Sequence, residues 1–351
     1  MRSLPITPLD SRKQIILKAV VTDYVRTVEP VGSHHLAARY EFGVRSATIR
    51  NEMAELAEMG YLHQPHTSAG RIPSDLGYRF FVDRLMGESS MNAQEAVQVR
   101  SKMEPRRTEV DVIIEQSCRI LSDLARYTSL ATHPAVKNTL ISHVSIAHIG
   151  HGKMLAVVVL DNGSVLHEIL ETDSTSKRID PVKATNFLLR KLSGRMLESV
   201  TSSAMEPVDE DAADMADLLG KVLRLLKRET ESSEEADVHL EGTSYILSQP
   251  EFKDVERLEA VLSILERRSA LYKLFSTVYL GRDVTVIIGS ENPLDEMRDC
   301  SFVGTTYQIN GRVAGTIGVL GPTRMDYPRA VGAVEFMADN LGEMLTALSV
   351  A

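Results

Sequence analysis

Cysteine is scarce. Two residues, Cys118 and Cys300, are too few for a disulfide framework, and each sits among apolar or mixed neighbours, so buried free thiols are expected. Long apolar runs are missing too. The longest purely apolar stretch is Met154 to Leu160, far short of a membrane span, and the N-terminus lacks the apolar core of a signal peptide. A soluble cytoplasmic protein with no membrane partner is expected. There is no basic excess: the formal charge of −9 argues against a general nucleic-acid coat. The chain contains no G-x-S-x-G, H-E-x-x-H or G-x-G-x-x-G. Gly150-His151-Gly152-Lys153 is a hairpin turn rather than a P-loop, because Ala147 and Met154 stand where that loop needs Gly and Ser or Thr. His63-x-x-His66 and His148-x-x-His151 have ligand-like spacing but no cysteine partner or third ligand. Neither an enzyme nor a cofactor or metal is expected.

What is present is unevenly placed. Residues 1–86 hold 11 Lys/Arg and 9 Asp/Glu, a balance of +2, against 28 and 39, a balance of −11, in the remainder. A mildly basic head on an acidic body suits local, specific DNA contact better than coating. Within the head, Ser46 reads as the N-cap and Gly60 as the C-cap of a helix whose apolar stripe is Ile49, Met53 and Leu56. Ala47, Asn51 and Ala54 lie opposite that stripe, with Thr48 and Arg50 on its flanks. A small, polar face bearing one Arg and one Asn suits a major groove, where Asn pairs with adenine and Arg with guanine. A surface helix on an enzyme can carry the same pattern, so its neighbours decide.

Before it, Asp10 or Thr7 opens a first helix with Ile15, Ile16, Ala19, Val20 and Tyr24, ending near Pro30. Ser33 then caps a short helix that stops at Glu41-Phe42-Gly43. This is the order of a helix-turn-helix. After it, Tyr61 to Pro65 reads as a strand, Thr67-Ser68-Ala69-Gly70-Arg71 as a loop, and Ile72-Pro73 as a return strand: the wing of a winged helix, with Arg71 to reach a phosphate or a minor groove.

The body alternates. Ser74 or Asp75 starts a helix leading out of the wing, and Gly87 to Ser90 is a linker. Residues 109–130 read as one long helix ending before His133-Pro134. Strands follow over Ile141–Ile149, Met154–Leu160 and Val165–Leu170, with a type I′ turn at Asn162-Gly163. Helices are expected from Pro181 to Gly194, from Asp209 to Arg228 and from Pro250 past Leu265, with a strand over Val238–Leu247. Strands return at Val284–Ile288, Tyr307–Ile309 and Val313–Leu320, Asn310-Gly311 making another hairpin. Pro328 starts a closing helix. In Gly321-Pro322-Thr323-Arg324-Met325-Asp326 the plain reading is a rigid loop and helix cap with Arg324 paired to an acid; the sharper one is a domain-contact or signalling loop.

Pro30-Val31-Gly32-Ser33, Ser46 to Met53, Thr67 to Ser74, Gly77 to Asp83 and Gly318 to Tyr327 closely resemble the bacterial heat-inducible transcription repressor family HrcA, nearly over the whole chain. His34-His35 departs from the Lys or Arg expected there, so a phosphate contact from that position would depend on pH. The resemblance implies an α+β multidomain protein: a winged helix-turn-helix with exit helix (1–87), a linker (88–108), and a GAF-like antiparallel α+β domain in two parts (109–172 and 273–351). A mainly helical dimerisation insert (173–272) interrupts the GAF-like domain. It further implies a homodimer on a CIRCE-type inverted repeat in double-stranded DNA before chaperone operons, kept active by the GroEL chaperonin. Thr48, Arg50 and Asn51 are then expected at base edges, and Ser33, Arg45, Ser46, Ser68, Gly70 and Arg71 at phosphates or in the wing. Two other readings remain: a small-ligand sensor in the GAF-like domain, and an enzyme with a DNA-binding appendage.

Overall fold

Asp10 accepts the Lys13 amide at 2.9 Å and so starts α1 (Ser11–Thr27), which Val28 closes in a left-handed conformation. The computed structural model describes residues 9–66, 69–87, 91–102, 109–134, 139–150, 152–171, 179–202, 213–232, 238–267, 271 and 283–350. α2 (Ser33–Arg39) and α3 (Ser46–Glu58) follow. Ser33 and Ser46 were expected as N-caps but are the first helical residues. Gly32 and Arg45, extended in backbone, hold the cap positions and give no side-chain bond. Gly60 is left-handed (φ +83), as expected of a residue just past α3. β1 (Leu62–His63) and β2 (Ile72–Pro73) form a short antiparallel ribbon. Val31 and Arg71 exchange backbone bonds, each 2.9 Å, and so tie the ribbon to the turn before α2. Ser74 caps α4 (Asp75–Phe80), accepting the Gly77 amide at 3.1 Å, and the helix continues as a π turn over Phe81–Leu85.

After α5 (Ala93–Lys102), α6 (Val110–Ala125) is shorter than expected. Arg126 turns left-handed (φ 62), and Thr128–Thr132 becomes β3. Leu130 fits helical spacing, but its backbone pairs with Gly318. The elements that follow are β4 (Ile141–Gly150), β5 (Lys153–Leu160), β6 (Val165–Glu171), α7 (Pro181–Leu192), α8 (Leu197–Ser202), α9 (Ala213–Ser232), β7 (Val238–Glu241), α10 (Ser244–Ser248) and α11 (Val255–Glu266). β8 (Thr285–Ile288), β9 (Cys300–Ile309), β10 (Arg312–Pro322) and α12 (Tyr327–Val350) complete the chain. Asn310 and Gly311 both have positive φ (52 and 75), as a type I′ turn requires. At Asn162-Gly163 only Gly163 does: the Asn162 side chain accepts the Ser164 amide at 3.0 Å, and the turn is not I′. The strand expected over Val238–Leu247 stops at Glu241, because Gly242 turns left-handed (φ 70) against Ser122.

Five strands form an antiparallel sheet in the order β7-β3-β10-β9-β8. Neighbouring residues sort to opposite faces. Ala131, Ile288, Val303 and Val319 pack with α6 and α12, while Leu130, Ile287, Phe302 and Leu320 pack with α10 and α11. The first of these cores runs without a break into Ile16, Leu36, Ile49 and Leu56 of the N-terminal helices. β4, β5 and β6 form a separate three-stranded sheet with one face under α7, α8 and α9. The pairing therefore differs from the expected division at residues 172 and 272: β4 to β6 share a core with α7 to α9, and β7, α10 and α11 belong to the larger sheet. Three short strands and their hairpins look alike in either sheet; only the partners separate them. Among the described residues, no helix is long and apolar enough to cross a membrane.

Cys118 and Cys300 are both buried and free. Burial pushes the Cys300 thiol up to about 12 and the Cys118 thiol upward as well, so both stay protonated at neutral pH. Iodoacetamide at pH 8 is therefore expected to alkylate neither in the folded protein and both in urea, as read by mass spectrometry. Rapid labelling of either in the folded state contradicts this packing.

Candidate nucleic-acid interface

Ile49, Met53 and Leu56 are buried, and this fixes the roll of α3. Arg45, Ala47, Arg50 and Asn51 are consequently exposed, while Ser46 and Thr48 are half-buried. Two clusters hold the helix there. Lys13 on α1 reaches Asp10 at 3.0 Å, Glu52 at 2.9 Å and Glu55 at 2.8 Å, and hydrogen bonds to those carboxylates raise its pKa. The acids of α3 are thereby neutralised on the side turned to α1. Asp23, buried on α1, accepts the Tyr40 hydroxyl at 2.9 Å and meets His35 at 3.1 Å and Arg39 at 3.3 Å, which fastens α2. Burial, then the bond to Asp23, raises the Tyr40 pKa.

The ribbon approaches from the other side. Gln64 Nε2 donates to the Ala69 carbonyl at 2.9 Å and closes the ribbon below its tip. A cleft of about 460 Å³ between ribbon, α2 and α3 brings His34, Arg50, Gln64, Gly70 and Arg71 together. Within it, Arg71 Nε is buried and has no hydrogen-bond partner among the described residues. The Ser46 hydroxyl lies 3.4 Å from His34 Nδ1. Arg45, Thr48 and Asn51 lie on α3 outside this cleft. α3 has no side-chain cap, so its first-turn N–H groups have no side-chain acceptor, next to the exposed Arg45. An uncapped helix start, two arginines and a polar helix face can accept phosphates and base edges.

Ser33, the first residue of α2, is only 9% exposed but lines the same cleft, with the more exposed His34 beside it. Ser68 lies outside the described residues. His34, weighed in the sequence as a phosphate contact, lines the cleft, and so does Gln64, which the sequence reading did not assign; the alternation of Leu62, buried, with exposed His63 is the signal that the ribbon has an outer side. His63 and His66 are both exposed, and no group of three or more metal-ligating side chains occurs among the described residues. His151 lies outside them.

Residues 111–331 match the family model described as HrcA protein C terminal domain. A heat-inducible transcription repressor HrcA of Desulforamulus reducens is 39% identical over 96% of this chain and 97% of its own length. One from Symbiobacterium thermophilum is 37% identical over 96% and 98%. A crystal structure of a protein described as hypothetical, 22% identical, covers 97% of this chain and 100% of that one with a TM-score of 0.67, and shares its fold.

A Cβ on Gly70 would lie 2.3 Å from the Val31 carbonyl oxygen and 2.8 Å from the Pro30 carbonyl carbon, so Gly70→Ala must push the ribbon off the turn before α2. Exchange of the Val31 and Arg71 amides is expected to accelerate by about tenfold or more. Unchanged protection would mean that the ribbon absorbs the methyl group.

Proposed function

The chain belongs to the HrcA family of heat-inducible transcription repressors, and on that premise we propose that residues 1–87 act as a winged helix-turn-helix reading one half of an inverted-repeat operator. The observation that carries the reading is Arg50, on the exposed face of α3, sharing one cleft with Arg71 of the ribbon. Thr48, Arg50 and Asn51 are assigned to base edges in the major groove. Arg45, Ser46, Gly70 and Arg71 are assigned to phosphates or to the adjacent groove, and Ser68 is assigned with them from the sequence alone. Ser33, which lines the same cleft, is assigned to a phosphate as well, with His34 exposed beside it.

The operator is a CIRCE-type repeat before chaperone operons, bound by a homodimer whose two-fold axis matches the repeat. The five-stranded sheet with its flanking helices is read as the GAF-like domain, formed by residues 109–134 and 238–351, and residues 139–232 as the dimerising insert. The uncovered face of the three-stranded sheet fits that role: Val165 and Ile169 are about half exposed, opposite Val159 and Leu155 of the central strand. The GroEL chaperonin keeps the repressor active. Heat-damaged proteins compete for it, the active fraction falls, and the chaperone genes are expressed.

Fluorescence anisotropy of a labelled inverted-repeat duplex beside a scrambled one at equal salt tests the operator reading. A preference of ~10³ or more for the repeat is expected. Arg50→Ala is expected to cost ~1–3 kcal/mol and to relax specificity at one base pair; equal weakening on every sequence would make Arg50 a phosphate contact only. Refolding from urea with and without GroEL tests the regulatory step. Operator-binding activity is expected to recover only with the chaperonin, and full unaided recovery refutes that step.

A further inference from the structure

The N-terminal helices are fastened to the sheet at two separate points, each built on an arginine. Arg79 on α4 donates through Nε to Glu291 Oε1 at 2.8 Å and through Nη2 to the Val286 carbonyl at 2.6 Å, with a second contact to Glu291. Beside it, Asp75 accepts the Ser290 amide at 2.9 Å. The receiving turn is itself fixed: buried Asn292 donates to the carbonyls of Gly289 at 2.8 Å, Met297 at 3.0 Å and Cys300 at 2.8 Å. This point lies beside β8, the edge strand.

The second point stands just past the end of β10, the middle strand. Arg324 donates through Nη1 to the Val25 carbonyl in the last turn of α1 at 2.8 Å and through Nε to Glu251 at 2.6 Å. It is 8% exposed. A cation at a helix C-terminus, itself paired to an acid, is favourable on both sides. Between the two points the rings of Tyr78 and Tyr327 meet at 5.8 Å.

A domain on one flexible linker can take many orientations, whereas two charged anchors on different strands permit one. On the head side, the Ser74 hydroxyl donates to the Gly60 carbonyl at 2.6 Å, so α4 is in turn bound to the end of the reading helix. We propose that Arg79 and Arg324 are positioning residues which fix the angle of α3 relative to the body and thereby set the half-site spacing that the repressor accepts. The inference rests on the dimeric operator reading above. In a two-fold assembly, half-sites must face two helices held at a set distance and rotation. A loosened head still reads one half-site and tolerates the wrong spacing.

The test uses the full-length protein and two variants, Arg79→Met with Glu291→Gln and Arg324→Met with Glu251→Gln, so that the acid each arginine holds across the junction is neutralised with it; Asp83, the other acid on Arg79, is exposed to water. Each is titrated with an inverted repeat, with the same repeat lengthened at its centre by about five base pairs, which rotates one half-site by half a turn, and with a single half-site. The unaltered protein is expected to bind the lengthened repeat about 100-fold more weakly. Each variant is expected to discriminate by less than about tenfold while holding the single half-site within about twofold, which also shows that its head is folded. Wild-type discrimination retained in both variants overturns the proposal. Protection of the Ser290 amide against hydrogen exchange, measured without DNA, is expected to fall about tenfold in the first variant. Equal protection overturns the anchor at Arg79 whatever the DNA result. An unaltered protein with no preference for the repeat over a scrambled duplex overturns the operator reading, and with it the spacing role. The exchange arm distinguishes that failure from failure of the anchor.

Discussion

An antiparallel sheet commonly keeps one face in water, but β3, β9 and most of β10 bury residues on both. Burial on both faces demands two helical layers, and the chain supplies them from distant segments: α6 and α12 on one side, α10 and α11 on the other. Aromatic residues are only 5% of the chain, and two of them, Phe302 and Tyr307, lie against the strands. That requires strand positions without a side chain. A Cβ at Gly318 would lie 2.6 Å from the Phe302 ring, and one at Gly315 2.5 Å from the Tyr307 hydroxyl. Gly318 and Gly315 thus let rings lie close on the sheet, at the cost of strand propensity. The core above α6 and α12 then continues into α1 and α3, so the head is packed against the body and not merely tethered to it.

Charge works on a smaller scale than composition suggests. A chain of net −9 can still present a positive surface where its acids are used up internally. Glu52 and Glu55 are held by Lys13, and Asp23 by Arg39 and His35. Toward the N-terminal end of α3 and the cleft, what remains is Arg45 and Arg50, both exposed, and the half-buried Arg71. The same pairs set the roll and tilt of the helix, so the electrostatics and the geometry of the interface have one origin. The exposed pairs contribute little stability on their own; their value lies in removing negative charge from the surface that would meet phosphate.

Local features were legible in the sequence. Asp10 caps where expected, Pro181 begins its helix, Gly60 and Gly194 are left-handed, and the stripe of Ile49, Met53 and Leu56 is buried. These depend on neighbours within a turn or two. The misreadings share a different cause. Leu130 continues a helical spacing yet pairs with Gly318, and Val238 to Glu241 pairs with Thr128 to Thr132, far earlier in the chain. Ser33 and Ser46 have capping chemistry, but the backbone enters each helix at the serine itself and not one residue after it. Arg324 was legible as an arginine in want of an acid; that the acid is Glu251 and that the same guanidinium holds Val25 is a fact of tertiary structure alone.

The three-stranded sheet makes the same point about domains. β4, β5 and β6 follow one another through tight turns, and their inward residues Val144, Ala156, Val158 and Leu170 match a set on α7 and α9: Ala184, Leu188, Val222 and Leu226. A meander with local connections and its own helices can fold without long-range pairing. The larger sheet cannot, because β3 and β7 lie on opposite sides of that whole unit in sequence and become neighbours only when it has closed. The inserted unit is thus both a separable core and the loop whose closure the larger sheet requires. Slow completion of the larger sheet after rapid formation of the inserted unit follows from this topology. The head shares a core with that sheet, so on this topology its final orientation waits on the sheet's closure. Such a chain is well placed to have its active fraction set by whatever assists or disturbs folding.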